Sequence, residues 1–252
     1  MEDEEVVWGR NAVLEALRAG RPLRRLLVAQ QLTATGSLGE VLAEARSSGV
    51  PVQRVPREAL DRLCNSTRHQ GVAAAALAHE YATLDDVLAE ATRRGEPPFV
   101  LVLDSLQDPQ NFGSLLRTAE AVGTHGVVIP KHRAVGLTAA VARTSAGAIE
   151  HLKVAQVTNV SRTLDELKEL GLWVVGVDMS GERAYDEQDL NLPLALVVGS
   201  EGKGLSRLVR EKCDLTVRLP MRGKVESLNA AVAGAIVLYE AWRQRVRGLR
   251  GA

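Results

Sequence analysis

Leu219-Pro-Met-Arg-Gly-Lys-Val-Glu-Ser-Leu-Asn229, followed by Ala230-Ala-Val-Ala-Gly-Ala-Ile236, is the stretch on which the fold turns. A strand over 215–219 stops at Pro220, the chain passes Gly223, and a helix is predicted from near residue 226 to about residue 246. Ser227 and Asn229 then fall in the first helical turn, where N–H groups lack intrahelical partners and can bind a ligand or be capped. The small residues Ala230, Ala231, Ala233, Gly234 and Ala235 predict a helix lying tight against other backbone. Two more stretches, 104–123 and 197–205, share this order of strand, polar loop and helix.

Working outward, apolar strands at 100–103, 126–129, 173–177, 195–198 and 215–219 alternate with helices at 112–122, 137–148, 160–170 and 205–211. Continuously apolar strands separated by helices indicate an α/β domain with a parallel sheet covered on both faces. Such sheets bind ligands at the carboxyl ends of their strands, and all three marked loops leave carboxyl ends. Upstream, residues 1–80 read as a compact module of helices and strands in alternation. Asn11 caps its first helix, and 65–71, holding Arg68, His69 and Gln70, forms its most polar loop. A polar helix at 84–94 and Pro97-Pro98 make 81–97 a linker. The predicted domains are therefore 1–80, then the linker 81–97, then 98–252.

Composition narrows the classes. Formal charge is zero, yet residues 6–80 carry ten Arg and no Lys against six acids, once the acidic start Glu2-Asp-Glu-Glu5 is set aside as a tail. Arginine suits phosphate, although a surface rich in ion pairs has the same composition. The two cysteines, Cys64 and Cys213, have no metal or disulfide spacing, and the five histidines make no ligand motif. With no apolar run of membrane length, the expectation is a cytoplasmic protein with no metal and no membrane partner.

The loops carry specific chemistry. In Asp104-Ser-Leu-Gln-Asp-Pro-Gln-Asn111, Asn111 is positioned to cap a helix, and further along it Arg117 and Glu120 share one face at i, i+3. Gly199-Ser-Glu-Gly-Lys-Gly204 is neither a Walker A loop nor a dinucleotide fingerprint. Glu201 would repel a phosphate and better suits a cationic ligand such as S-adenosylmethionine. Leu219, Met221 and Leu228 offer apolar walls for an adenine.

Together, Asp108-Pro-Gln-Asn-Phe-Gly-Ser-Leu-Leu-Arg-Thr-Ala-Glu120, Gly199-Ser-Glu-Gly-Lys-Gly204 and Leu219-Pro-Met…Ser227-Leu-Asn229 resemble the three motifs of the SpoU (TrmH) family of RNA 2′-O-ribose methyltransferases, in the SPOUT superfamily. Trp8-Gly-Arg-Asn-Ala-Val-Leu-Glu-Ala-Leu17 and His69-Gln70-Gly71 resemble the small ribosomal-protein-like RNA-binding domain of the branch that methylates a guanosine of 23S rRNA.

The resemblance implies a deep trefoil knot in the C-terminal domain, a homodimer, S-adenosylmethionine as methyl donor and no metal. It implies catalytic roles for Asn111, Arg117, Glu201, Ser227 and Asn229, and cofactor contacts from Gly199, Leu219, Met221 and Leu228. Arg10, Arg24, Arg25, Arg54 and Arg68 become expected phosphate contacts, joined by Arg243, Arg245 and Arg247. A tRNA or a different rRNA site, including one modified for antibiotic resistance, is the alternative target. A catalytically silent ribosome-assembly factor is the alternative class.

Overall fold

The computed structural model describes residues 4–132 and 134–251, which fall into two compact units. One comprises the chain up to Glu80 together with Leu137–His151; the other comprises Tyr81–Gly136 and the chain from Leu152 onward.

The first unit is built around β4 (Val72–Leu77), whose four central alanines let neighbouring elements approach closely. Strand β4 pairs antiparallel with both β1 (Glu4–Trp8) and β2 (Leu23–Ala29), and β2 pairs parallel with β3 (Val52–Val55). Helices α1 (Arg10–Arg18) and α2 (Ser37–Ser47) pack Val13, Leu17, Val41 and Ala45 on one face, against Leu26, Val28, Ala74 and Ala76. On the other face, α3 (Arg57–Cys64) packs Leu60 against Trp8, Leu27 and Ala73.

Several expectations change here. Glu4 and Glu5 belong to an additional strand, β1, and Glu5 forms an ion pair with Arg21 at 2.6 Å. Gly9, with φ 97°, turns β1 directly into α1, so Asn11 lies inside the helix instead of capping it. Residues 137–148 do not form one helix of the second domain. Thr138 caps a short α6 (Ala139–Thr144), a 3₁₀ turn follows at Ala148–Glu150, and the segment packs on the first unit. The cause is a set of charged anchors. The Arg143 guanidinium stacks 4.6 Å from the Trp8 ring, His151 pairs with Glu15, and Glu150 is buried against Arg21 and His79.

The second unit opens with α4 (Leu84–Arg94), capped by a reciprocal Thr83–Asp86 box. Val87 and Ala91 bury its inner face, so 81–97 is part of this unit and not a linker. Its sheet has seven strands, all parallel, in the order β7-β6-β5-β10-β8-β11-β9. The strands are β5 (Phe99–Leu103), β6 (Gly126–Pro130), β7 (Val154–Val157), β8 (Trp173–Val177), β9 (Arg183–Ala184), β10 (Leu194–Val198) and β11 (Leu215–Arg218). Strands β7 and β9 are short additions at the two edges. Val100, Val102, Ala195 and Val197 face α4, α7 (Val160–Glu169) and α8 (Arg207–Lys212). The alternate residues face α5 (Pro109–Ala121) and α9 (Ala230–Gly251), which pack together.

Chain order reverses between β5 and β10, since β5 leads outward to β6 and β7 while β8 to β11 lie on the other side. Loops leaving β5 and β10 therefore diverge from adjacent carboxyl ends and leave a crevice between them. Helix α9 seats at that point through Gly234, where an added Cβ would lie 2.7 Å from Leu115 and 3.0 Å from Val198. Replacing Gly234 by valine overpacks this contact, and it should lower unfolding free energy by about 1–3 kcal/mol in urea denaturation.

Candidate active site

The loop after β5 is bound to the loop after β10 by Asp104. Its buried carboxylate accepts the Ser206 N–H at 2.7 Å and the Ser105 hydroxyl at 3.1 Å. Ser105 itself is left-handed at φ 63°. Asp104 is a site residue outside the expected set, and its signal in the sequence is a carboxylate directly after a five-residue apolar run. A cleft of about 370 Å³ opens here, lined by Asp104, Gln107, Glu201, Lys203 and Ser206 among others.

The glycine-rich loop is a tight closure. Ser200 and Gly204 exchange backbone hydrogen bonds at 3.0 and 2.9 Å. A Cβ on Gly199 would sit 2.2 Å from the Gly204 backbone, so Gly199 is required by the loop's own packing. That closure lifts Glu201 to its exposed tip.

Helix α5 is capped by Asp108, whose side chain accepts the Asn111 N–H at 3.0 Å, with Pro109 in the first turn. Asn111 is thus not the cap. It stands in the first turn with its amide free to reach outward. Helix α9 likewise starts at Ala230 and not near residue 226. Residues 219–229 are irregular, and Asn229 is the cap, its Oδ1 accepting from Ala231 and Val232 at 2.9 and 3.2 Å. Capping leaves Asn229 Nδ2 to donate to Asn111 Oδ1 at 3.0 Å, and Asn111 Nδ2 donates to Glu201 Oε1. One chain of hydrogen bonds therefore joins the three loops.

The other expected catalytic residues stand apart from it. Ser227 lies outside the helix and makes no hydrogen bond among the described residues. Arg117 is exposed and has no ion pair among the described residues, not even with Glu120. It follows Asn111 by six residues, roughly 9 Å along the helix and about 120° around it. Leu219, Met221 and Leu228 lie in the irregular segment, where Met221, Val225 and Leu228 are exposed. Residues 219–228 make no backbone–backbone hydrogen bond among the described residues. Exposed apolar side chains beside open N–H and C=O groups are what an adenosine can use. Among the described residues, no group of three or more His, Cys, Asp or Glu could hold a metal ion.

Residues 98–239 match the model of the SpoU rRNA Methylase family. The chain belongs to that family. It is an RNA methyltransferase, and residues 6–82 match the model for RNA 2′-O ribose methyltransferase substrate binding. It is 52% identical over 244 residues to YacO, a TrmH-family relative of Bacillus subtilis strain 168, covering 97% of each chain. The SpoU methyltransferase AviRb of Streptomyces viridochromogenes, solved in complex with the cofactor AdoMet, superposes with TM-score 0.80 at 30% identity, over 96% of this chain and 91% of that one. A structure described as an RNA 2′-O ribose methyltransferase gives TM-score 0.80 at 29% identity, over 97% and 90%.

The expected RNA contacts of this SpoU methylase do not form one patch. Arg24 and Arg25 are exposed at the start of β2. Arg54 donates to the Leu32 carbonyl at 2.8 Å and Arg10 to the Gln70 carbonyl at 3.3 Å, which places both with Arg68 at the opposite end of the sheet. In the second unit Arg245 is structural. It donates to the carbonyls of Pro97, Pro98 and Leu192 and stacks 4.6 Å from Phe99. Burial lowers its pKa to about 10, which leaves it charged at neutral pH. Arg243 is held by Glu240 at 2.5 Å.

Asn229 has two separable tasks, which two variants can distinguish. Asn229→Asp keeps the capping oxygen but removes the amide donor to Asn111. It should melt like the parent while losing methyl transfer to RNA from a strain lacking the gene. Asn229→Ala should lose transfer and also about 1 kcal/mol of stability.

Proposed function

We propose that the protein methylates a ribose 2′-hydroxyl in RNA, most specifically of a guanosine in 23S rRNA, with S-adenosylmethionine as donor. The carrying observation is the Asn229–Asn111–Glu201 chain beside the open 219–228 segment, a polar clamp next to free backbone groups and apolar side chains. When bound, S-adenosylmethionine supplies an electrophilic methyl group, which the ribose oxygen takes with loss of its hydroxyl proton, leaving S-adenosylhomocysteine. Backbone groups of 219–228, with Leu219, Met221 and Leu228, would hold the adenosine. Glu201 and Gly199 border the same site, and the carboxylate has the sign to attract a sulfonium or ammonium. Cofactor binding in AviRb supports this reading.

A ribose hydroxyl is a weak acid, so its developing alkoxide needs stabilisation. Arginine hardly deprotonates in proteins, and Arg117 is therefore assigned to positioning and charge stabilisation, not to base catalysis. Asn111, Asn229 and Ser227 would orient the ribose. The turn between Asn111 and Arg117 supports Arg117 acting at the site of a second copy. Helix α9 supports that dimer, because Val232, Tyr239 and Trp242 are large and exposed along it, with Ala235 and Ile236 in a shallow cleft between. The small-residue face of α9 supports a trefoil knot. The substrate-binding domain over residues 6–82 supports an rRNA target, and intact Asn111, Arg117, Glu201, Ser227 and Asn229 support a catalytic enzyme over a silent factor.

Three measurements test this. Arg117→Ala should reduce methyl transfer by about two to three orders of magnitude while S-adenosylmethionine affinity changes less than about twofold. Trp242→Glu should shift the chain from dimer to monomer in sedimentation and lose activity with it. Mapping 2′-O-methyl sites in rRNA and tRNA after gene deletion should show one guanosine lost from 23S rRNA. Loss from tRNA instead would redirect the target, and no loss would overturn the activity.

A further inference from the structure

The cleft between the loops after β5 and β10 has fixed walls and an uncommitted rim. Both oxygens of the buried Asp104 are taken, one by the Ser206 N–H and one by the Ser105 hydroxyl. Leu106 is buried next in sequence, and its carbonyl accepts the Val135 N–H at 3.1 Å. The loop after β10 is closed by the mutual Ser200–Gly204 hydrogen bonds. By contrast, Gln107 and Lys203 are exposed, and their side chains make no hydrogen bond or ion pair among the described residues. Lys203 does not pair even with Glu201, two residues away.

Its lining includes Glu201 but no residue of 219–228, so the cleft is a second compartment, joined to that segment through the Glu201–Asn111–Asn229 chain. Asp104 and Glu201 stand against Lys203 alone, and this negative balance repels a phosphate or the carboxylate end of a cofactor. A neutral group with donors and acceptors on one edge suits it better. Glu201 keeps about three acceptor sites after serving the Asn111 amide, and Lys203 brings donors only. Among the four RNA bases, only guanine has two adjacent donors on its Watson–Crick edge, N1–H and N2–H, with an acceptor, O6, beside them. Glu201 complements the donor pair and Lys203 complements O6. RNA bases drawn out of their stack are read on that edge. The volume of about 370 Å³ is at the small end of ligand sites, as one base requires.

We infer that this cleft takes the base of the nucleotide whose ribose is methylated, and that Glu201 and Lys203 read it there as guanine. This rests on the reading of the protein as a ribose methyltransferase, and it deepens that reading by naming what selects the nucleotide. Base and ribose are joined by a single bond. A base seated beside Glu201 therefore brings its own ribose to the Asn111 and Asn229 amides. Lys203 is then a specificity-determining residue that takes no part in the transfer itself.

The test uses the full chain and 23S rRNA into which a synthetic segment has been ligated across the nucleotide located by 2′-O-methyl mapping. That nucleotide is guanosine, inosine, 2-aminopurine riboside or adenosine, all of which keep the 2′-hydroxyl. The parent's kcat/KM should fall at least about tenfold for inosine, which lacks the 2-amino donor, and about a hundredfold for adenosine. It should also fall for 2-aminopurine, which lacks O6 and the N1 proton. Lys203→Met should cost about tenfold on guanosine but less than about twofold on 2-aminopurine, because the partner of the lost ammonium is already gone. S-adenosylmethionine affinity should stay within about twofold of the parent. Equal rates on all four RNAs, a Lys203→Met penalty that is the same for guanosine and 2-aminopurine, or a loss confined to cofactor affinity overturns the inference alone. A mapped nucleotide other than guanosine does the same. A parent chain that methylates neither 23S rRNA nor tRNA from the deletion strain overturns the functional reading, and this cleft's role with it.

Discussion

Three loops that are far apart in the chain meet because two asparagine amides are fully committed in one direction. Asn229 spends its oxygen on the exposed N–H groups at the start of α9, so only its NH₂ can turn toward Asn111. Asn111 accepts that hydrogen and must offer its own NH₂ onward, where the exposed carboxylate of Glu201 receives it. Each amide has one acceptor and one donor group, so the chain has a single polarity ending on a negative charge. Everything beneath it serves this alignment. Asp108 relieves Asn111 of capping duty, the Gly199–Gly204 closure lifts Glu201, and the α5–α9 contact at Gly234 sets the distance between the helices.

The parallel sheet explains why the meeting point lies where it does. Its order reverses between β5 and β10, and the first two loops leave from that reversal. Asp104 closes the base of the crevice with a buried carboxylate bonded to the β10 loop. The irregular 219–228 segment then borders a polar clamp with backbone groups that nothing else in the described chain uses. An RNA methyltransferase needs both properties close together, one for its cofactor and one for its RNA substrate. Two asparagine side chains, one glutamate and open backbone groups supply them here.

In the first unit the same economy of hydrogen bonds acts on a different scale. A short, largely alanine strand lets helices close on both faces, and the polar loops are pushed to the ends of the sheet. Residues 137–151 join this unit through charged and aromatic contacts that no local pattern announces, since Arg143, Glu150 and His151 find Trp8, Arg21 and Glu15 more than a hundred residues earlier.

Much of this was legible in the residues alone. Apolar runs and their breaks determine an alternating α/β chain with a parallel sheet, because burial on both faces leaves no room for polar alternation. The three loop motifs also determine the family and the identities of Asn111, Glu201 and Asn229. Tertiary structure decided what those residues do. Which residue caps a helix depends on where the backbone turns, and that moved capping from Asn111 to Asp108, and from Asn11 to the Gly9 turn. Which arginines stand together depends on strand direction, which split Arg24 and Arg25 from Arg10, Arg54 and Arg68. Hydrogen-bond direction and long-range pairing are properties of approach between distant segments, and approach exists only once the chain has folded.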